Sequence, residues 1–212
     1  MRSSGLVVGA IVLALAAAGI LAATNFLGLD LPFMNPSEQE LVAQMNDVAA
    51  QGGLAVTFAG SDAEKWQVAP GQKLEKFSLG GGEAAVARLS STGTIDISSF
   101  EWTKLGLSTT LPATFGQRSN GKRVEIGFVA RAAQMNPSAE VSVIYATQQA
   151  GNSTWRQFRL SPAFELMTFT FDVPPLEEGY TKDPIVVFHS DATGFGRSVE
   201  LLGVYVKLVP RL

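Results

Sequence analysis

Beyond Gly53 the sequence consists of short β-branched or alternating apolar runs, separated by clusters of glycine, proline, asparagine and serine. This pattern is typical of a sandwich or jelly roll of antiparallel strands. No run from Gly53 to Leu212 has a convincing helical period, which argues against parallel βαβ folds and the nucleotide sites they carry. We therefore expect residues 54–212 to form one all-β jelly-roll sandwich. The candidate strands are Leu54–Phe58, Ala84–Leu89, Thr94–Ile97, Leu105–Leu107, Arg123–Ala132, Glu140–Thr147, Trp155–Leu160, Leu166–Val173, Pro184–His189 and Ser198–Val209.

A short amphipathic helix is expected before this domain, within a linker region of residues 31–53. Ser37-Glu38-Gln39-Glu40 has the form of a capping box, and Gly52-Gly53 can end the helix. An apolar stripe at helical spacing must be buried, and we expect it to pack on the protein's own β domain. Docking on a membrane surface or a partner helix is the alternative. The acidic polar face argues against anionic lipid. The stripe comprises Leu41, Val42, Met45, Val48 and Ala49.

Residues 5–23 form an apolar run without a charged side chain, long enough to cross a hydrocarbon core of about 30 Å as a helix. We expect residues 1–30 to be a single-pass transmembrane anchor, with the lipid bilayer as partner of residues 5–23. A cleaved signal peptide is the alternative, because Ala16-Ala17-Ala18 supplies a cleavage pattern. With Arg2 before the run and acidic residues after it, the anchor would lie in the inner (cytoplasmic) membrane and the β domain would be periplasmic or extracellular.

Composition excludes several function classes. The net charge of −3, from 16 basic and 19 acidic residues, argues against a nucleic-acid partner. The chain has no cysteine and one histidine, His189, so disulfides, cysteine-ligated metals and multi-histidine sites are impossible. No hydrolase, zinc-protease or phosphate-loop motif occurs. We therefore predict a protein that is not an enzyme, with no cofactor and no metal, in which His189 is structural and dispensable for function.

Four runs of the later strands form a distinctive series. They are Trp155-Arg156-Gln157-Phe158-Arg159-Leu160, Met167-Thr168-Phe169-Thr170-Phe171-Asp172-Val173-Pro174, Pro184-Ile185-Val186-Val187-Phe188-His189 and Val199-Glu200-Leu201-Leu202-Gly203-Val204-Tyr205-Val206. Together these runs resemble the galactose-binding-like jelly roll, the fold of many carbohydrate-binding modules. The resemblance covers about residues 65–212. It departs from the family at Phe164, where members often have Trp, and at Glu200–Gly203, so it does not imply a calcium site.

Sugar sites combine aromatic faces that stack on pyranose rings with polar groups that bind hydroxyls. Trp66 and Trp102 have charged neighbours and are expected to be partly exposed, whereas Trp155 is expected in the core or at its rim. We expect aromatic contacts to dominate the binding energy and the arginines to contribute little. The predicted ligand-binding residues are Trp66, Trp102, Tyr145, Trp155, Arg156 and Arg197.

Two functions remain open at this point. The first is a membrane-anchored, non-catalytic binding module for glycan or another envelope component. The second is a structural accessory subunit that docks on a larger membrane-protein complex by its transmembrane helix and β domain. Small residues along the apolar run, such as Gly5 and Gly9, give the second function some support, because they let membrane helices approach closely.

Overall fold

The computed structural model describes residues 37–78, 85–91, 101–191 and 195–211. The expected membrane segment, residues 5–23, and the candidate strand Thr94–Ile97 lie outside these ranges. Within them, no helix has both the length and the apolar character needed to cross a bilayer.

The first described element is the expected amphipathic helix, α1, over Glu38–Ala50. Its capping box is confirmed: the Ser37 amide donates to Glu40 Oε2 at 2.7 Å, and the Glu40 amide donates to Ser37 Oγ at 3.3 Å. The helix ends where Gly52 adopts a positive φ of 88° and the Gly53 amide donates to the Val48 carbonyl at 3.0 Å.

The remainder is a sandwich of two antiparallel sheets, as predicted. Sheet A has six strands in the order β3-β4-β11-β6-β9, with β1 also paired to β11, and sheet B has the order β2-β5-β10-β7-β8. A short helix, α2, spans Ala113–Ser119. The strands are β1 Leu54–Thr57, β2 Trp66–Val68, β3 Gln72–Ser78, β4 Ala85–Ser91, β5 Leu107–Thr110, β6 Arg123–Ala132, β7 Glu140–Ala146, β8 Arg156–Arg159, β9 Glu165–Asp172, β10 Ile185–His189 and β11 Ser198–Val209.

Strand β11 organises sheet A. One of its edges pairs with β6 from Val199 to Val209, and the other pairs first with β4 and then with β1. A bulge between Leu201 and Gly203 separates the two halves of β11. A bulge increases the local twist, which suits the change of partner along this edge.

Apolar side chains form three layers. The main core lies between the sheets, where alternate residues of each strand point inward. A second cluster joins Leu41 and Met45 of α1 to Leu202 and Tyr205 on the outer face of sheet A, so α1 packs on its own β domain as expected. A third cluster lies on the outer face of sheet B, so apolar side chains cover part of all four sheet faces.

Three details of the fold differ from the sequence prediction. Strands β2 and β3 were not among the candidates, and the seven-residue helix α2 is too short to show a helical period. The last two strands are neighbours in the sequence but do not form a hairpin, because the connection after His189 carries the chain from β10 in sheet B to β11 in sheet A.

Candidate functional site

An open groove of about 520 Å³ lies at one edge of the sandwich, where β8 ends sheet B and β9 ends sheet A. It combines half-buried aromatic residues with exposed polar ones. The aromatic lining is Trp155, Phe158 and Phe169, and the polar lining is Arg156, Gln157 and Thr170.

The groove begins with a tight turn that sets the position of Trp155. Thr154 has a positive φ of 57°, and its amide donates to Asn152 Oδ1 at 2.9 Å. The buried Ser153 fixes this turn to β7, because its amide donates to the Tyr145 carbonyl at 2.9 Å and its Oγ accepts from the Tyr145 amide at 3.0 Å. Trp155 is therefore presented by a backbone that the sheet holds in place.

The two phenylalanines form the floor of the groove. Phe158 packs edge-on against the core residue Phe128, with ring centroids 5.0 Å apart, and lies 5.9 Å from Phe169. Because Phe128 is fully buried, its packing limits the rotation of Phe158. The groove consequently has a pre-formed apolar floor.

Polar groups are available along the rim of the groove. Arg156 is exposed and forms no salt bridge with any other described residue. Gln157 and Thr170 are also exposed. The guanidinium can donate several hydrogen bonds in a planar fork, and the amide and hydroxyl can both donate and accept. The aromatic rings of the groove can stack on the apolar face of a sugar ring, and these polar groups can bind the hydroxyl groups around it.

Trp155 also borders the outer face of sheet B. There it packs, together with Trp102, on the apolar cluster that includes Ile144 and Val187. Trp155 was expected in the core or at its rim, and it lies at the rim. Trp102 was expected to be partly exposed, and it is half-buried. The aromatic surface therefore extends from the groove around β8 onto the sheet face.

His189 lies beneath this surface with its ring edge-on to Trp155, at 6.5 Å between centroids. Its Nδ1 accepts the Asp191 amide at 3.2 Å, while the Asp191 carboxylate accepts the amide of Arg197 at 3.1 Å. The two side chains are thus not joined as a general base and its orienting acid. Burial lowers the pKa of His189, and the nearby Asp191 charge opposes this shift.

Two of the predicted ligand-binding residues are in the core, contrary to expectation. Trp66 is only 8% exposed and stacks on Phe58 between the sheets, so the expected partial exposure is wrong. Tyr145 is fully buried in the same core, and this burial raises the pKa of its hydroxyl. Neither ring can reach a ligand in this conformation. Both were proposed on residue type without knowledge of the face they occupy.

Arg197 is exposed, as expected of a polar contact residue, but it lies in the loop between β10 and β11 rather than in the groove. The structure therefore brings Trp155 and Arg156 together, places Trp102 on the adjoining sheet face, and separates Arg197 from them.

Glu200 is the first residue of the segment Glu200–Gly203, where the sequence departs from the pattern of the galactose-binding-like jelly rolls. It is fully buried on sheet A and accepts from Arg88 Nη2 at 2.7 Å and from Arg131 Nε at 2.7 Å. Arg131 in turn lies over the Phe164 ring, 4.2 Å from its centroid. Both carboxylate oxygens are thus used within the protein, and Phe164 supports an arginine rather than a ligand.

The sequence analysis missed Gln157, Phe158, Phe169 and Thr170. All four lie in two of the four runs that carry the resemblance, and the alternation along each run was visible. Which edge of which sheet each run would occupy depends on long-range pairing, and that pairing places β8 opposite β9 across the groove.

A second cavity, of about 400 Å³, lies between α1 and sheet A. Among the residues that the structure describes, its lining is apolar apart from a few polar side chains and contains no aromatic ring. It therefore lacks a surface on which a sugar ring could stack. The lining residues are Gln39, Val42, Ala43, Asn46, Thr57, Ala59, Ala85 and Leu202.

Comparison with known proteins gives no match to a protein family and no match to a curated protein. Solved structures do match. The tandem CBM22-1–CBM22-2 domain of Paenibacillus barcinonensis Xyn10C aligns with a TM-score of 0.52 and 11% identity, over 74% of this chain and 44% of that one. The CBM22-1 xylan-binding domain of the same protein aligns with a TM-score of 0.49 and 11% identity, over 75% and 95%.

A carbohydrate-binding module, CBM6cm-2 of Cellvibrio mixtus lichenase 5A in complex with cellotriose, aligns at 0.42 with 7% identity, over 74% of this chain and 98% of that one. At such identities the likeness concerns the fold alone. The alignment with the tandem CBM22-1–CBM22-2 domain, at a TM-score of 0.52, agrees with the two antiparallel sheets described above and with the resemblance read from the sequence. The β domain of this chain has the jelly-roll fold found in carbohydrate-binding modules.

Proposed function

We propose that the protein is a non-catalytic glycan-binding module and that the groove between β8 and β9 is its binding site. The observation that carries this proposal is the presence of three half-buried aromatic rings and three exposed polar side chains in a single open groove. Apolar ring faces with a few convergent polar groups are the usual composition of a sugar site. The fold shared with the tandem CBM22-1–CBM22-2 domain supports the choice of ligand class.

The groove is open to solvent along its length, which suits a segment of a polysaccharide better than a small molecule that must be enclosed. Trp155 at its entrance offers the largest ring. Its exposed face can stack on a pyranose, while Arg156 and Gln157, the next two residues, reach hydroxyl groups at the ring edge. No charge on the sugar is required by this arrangement.

Titration of the full chain with xylo- and cello-oligosaccharides tests the proposal, with tryptophan fluorescence and calorimetry as readouts. Trp155→Ala is expected to weaken binding by about thirtyfold or more, the usual effect of removing a central aromatic anchor. Unchanged affinity in this variant, with its fold intact by circular dichroism, would contradict the site.

Strand β8 supplies a matched control. Arg156 and Arg159 are both exposed, yet only Arg156 lines the groove. Arg156→Ala should therefore reduce affinity more than Arg159→Ala. Equal effects, together with strong sensitivity to salt, would indicate a general electrostatic attraction instead of binding in the groove.

We also propose that residues 5–23 anchor the module in the cytoplasmic membrane, with the β domain on the outer side. The uncharged run and the acidic residues after it support this arrangement. The intact mass of the membrane-extracted protein tests it, since a retained anchor preserves the full 212 residues. A mature chain that begins near Gly19 would show a cleaved signal peptide. Stable co-purification with membrane subunits, without sugar binding, would favour the accessory-subunit function.

A further inference from the structure

Asn120 and Gly121, in the turn between α2 and β6, are the one Asn-Gly pair of the sequence. Asparagine is a chemically labile residue, and a glycine after it has no side chain to hinder attack by its backbone nitrogen on the asparagine side chain. We infer that Asn120 is a site of covalent modification by deamidation, unreactive in the folded domain and reactive when the connection between β9 and β10 opens.

The reaction needs water as its only co-reactant. The Gly121 nitrogen attacks Cγ of Asn120, a C–N bond forms, and the Cγ–Nδ2 bond breaks. The amide proton of Gly121 leaves with Nδ2 as ammonia. Water then opens the five-membered succinimide ring at either of its two carbonyl carbons. The products are an aspartate with an ordinary backbone and an isoaspartate, in which the backbone runs through the side-chain carbon atoms.

The backbone of the turn points the attacking nitrogen away from its target. Asn120 has φ of −52° and ψ of 121°, and Gly121 has a positive φ of 64°. The Lys122 amide donates to the Ser119 carbonyl at 2.9 Å, so the four residues form a type II turn. Ring closure requires the Gly121 nitrogen on the same side of the Cα–C bond as the Asn120 side chain. At the observed ψ the nitrogen lies beside Hα, so the ring cannot close until the turn changes.

The side chain of Asn120 is held as firmly as the backbone. Its Oδ1 accepts from the Leu176 amide at 2.8 Å, and its Nδ2 donates to the Leu176 carbonyl at 2.9 Å. Pro175 lies against the other reacting residue, since a Cβ at Gly121 would be 3.5 Å from Pro175 Cβ. We call this arrangement the Asn120 clamp. Rotation of either reacting group requires the connection that carries Pro175 and Leu176 to move.

This connection has the features of a segment that opens before the rest of the domain. Residues 173–184 form no helix or strand, and Glu177, Glu178 and Lys182 are exposed. Its main attachment besides the clamp is the buried Tyr180, whose hydroxyl donates to the Pro174 carbonyl at 2.7 Å. Exposed segments without regular structure open at a lower free energy than core strands. Because reclosing is faster than deamidation, the reaction rate follows the population of the open connection.

Deamidation also prevents the clamp from forming again. The aspartate product lacks the Nδ2 donor and places a carboxylate oxygen opposite the Leu176 carbonyl, where two acceptors repel. The isoaspartate product has a longer backbone, which the type II turn cannot accommodate. Each opening that leads to reaction therefore leaves the β9–β10 connection permanently loosened.

The first test compares rates of deamidation in the full chain at mildly alkaline pH. Peptide mass spectrometry with fragmentation measures aspartate and isoaspartate at position 120 over a series of urea concentrations. We expect the reaction to be at least about tenfold slower in native buffer than in unfolding urea, because the hydrogen bonds of the clamp must first break. The rate should rise at urea concentrations below the global unfolding transition. Equal rates in both conditions, or a rate that rises only with global unfolding, would overturn the inference.

Leu176 supplies a matched pair of variants. Leu176→Pro removes the amide that donates to Asn120 Oδ1. Leu176→Ala removes similar side-chain packing and keeps both backbone groups. We expect Asn120 to deamidate at least about tenfold faster in Leu176→Pro than in Leu176→Ala in native buffer, and equal rates would contradict the role of the clamp.

The effect of the product is measured directly with Asn120→Asp, which does not depend on the folding of Leu176→Pro. Gln117→Glu makes the same change of charge at an exposed position of α2. We expect Asn120→Asp to lower the urea midpoint and to speed hydrogen exchange in residues 173–184, and Gln117→Glu to change neither. Equal behaviour of the two variants would overturn the clamp. None of these measurements involves sugar or lipid, so their failure is separate from failure of the proposals above.

Discussion

Replacement of Trp66 by alanine is expected to destabilise the domain strongly, because the indole fills the space between the two sheets. Its ring stacks on Phe58 at 4.3 Å between centroids, with an interplanar angle of 18°, and lies 6.0 Å from Phe188. Its Nε1 donates to the Thr57 carbonyl at 2.8 Å. Emptying a site of this kind costs about 3–5 kcal/mol in the free energy of unfolding. For a chain of this length the melting temperature should fall by about 6–20 °C.

Thermal and urea unfolding of the full chain, followed by circular dichroism, measure the effect. Trp66→Phe keeps an aromatic ring beside Phe58 and loses the hydrogen bond, so it should cost about 1–2 kcal/mol. Trp102→Ala is the matched control, because Trp102 is half-buried and should tolerate truncation better. If Trp66→Ala were no more destabilising than Trp102→Ala, the placement of Trp66 between the sheets would be refuted.

Three further substitutions test other parts of the structure. Gly127→Ala should cost about 1–3 kcal/mol in urea unfolding, because its Cβ would lie 2.3 Å from ring atoms of Tyr205; an unchanged midpoint would contradict this close approach. Glu200→Gln should cost about 3–5 kcal/mol by removing the buried charge that pairs with two half-buried arginines, whereas the exposed Glu178→Gln should stay within about 0.5 kcal/mol. His189→Asn should flatten the loss of stability between about pH 8 and about pH 5. Burial lowers the pKa of His189 below 6.5, so the unfolded chain binds the proton first as the pH is lowered, and the folded state loses stability. An equal loss of stability in the variant would disprove this role of His189.

The all-β architecture could be predicted because its strands carry their signal locally. Strand β11 was located with its observed bounds, Ser198–Val209, and β6 with Arg123–Ala132, since both are long and rich in β-branched residues. Strand β3 was missed because Gln72–Ser78 carries lysine and glutamate at exposed edge positions. Charged edges discourage pairing with other chains, and they also hide the strand from a pattern search.

The orientation of single side chains was harder to predict. Trp66 was expected near the surface because Lys65 precedes it, but successive residues of a strand point to opposite faces, so a charged neighbour says little about the face of the tryptophan. The groove presented a different difficulty. Phe158 and Phe169 meet only because β8 and β9 end their sheets on the same side, and this depends on pairings between residues far apart in the sequence.

The shared edge of β11 also has a kinetic consequence. Strands β1 and β4 occupy adjacent segments of that edge, and the β11 residues with which both pair are synthesised more than a hundred residues later. Contacts so distant in the chain make folding slow. Sheet A therefore cannot assemble until β11 has been delivered, and α1, which packs on β11, has no complete surface to cover before then. We therefore expect the two halves of sheet A, β3-β4 and β6-β9, to be joined only after β11 has been synthesised.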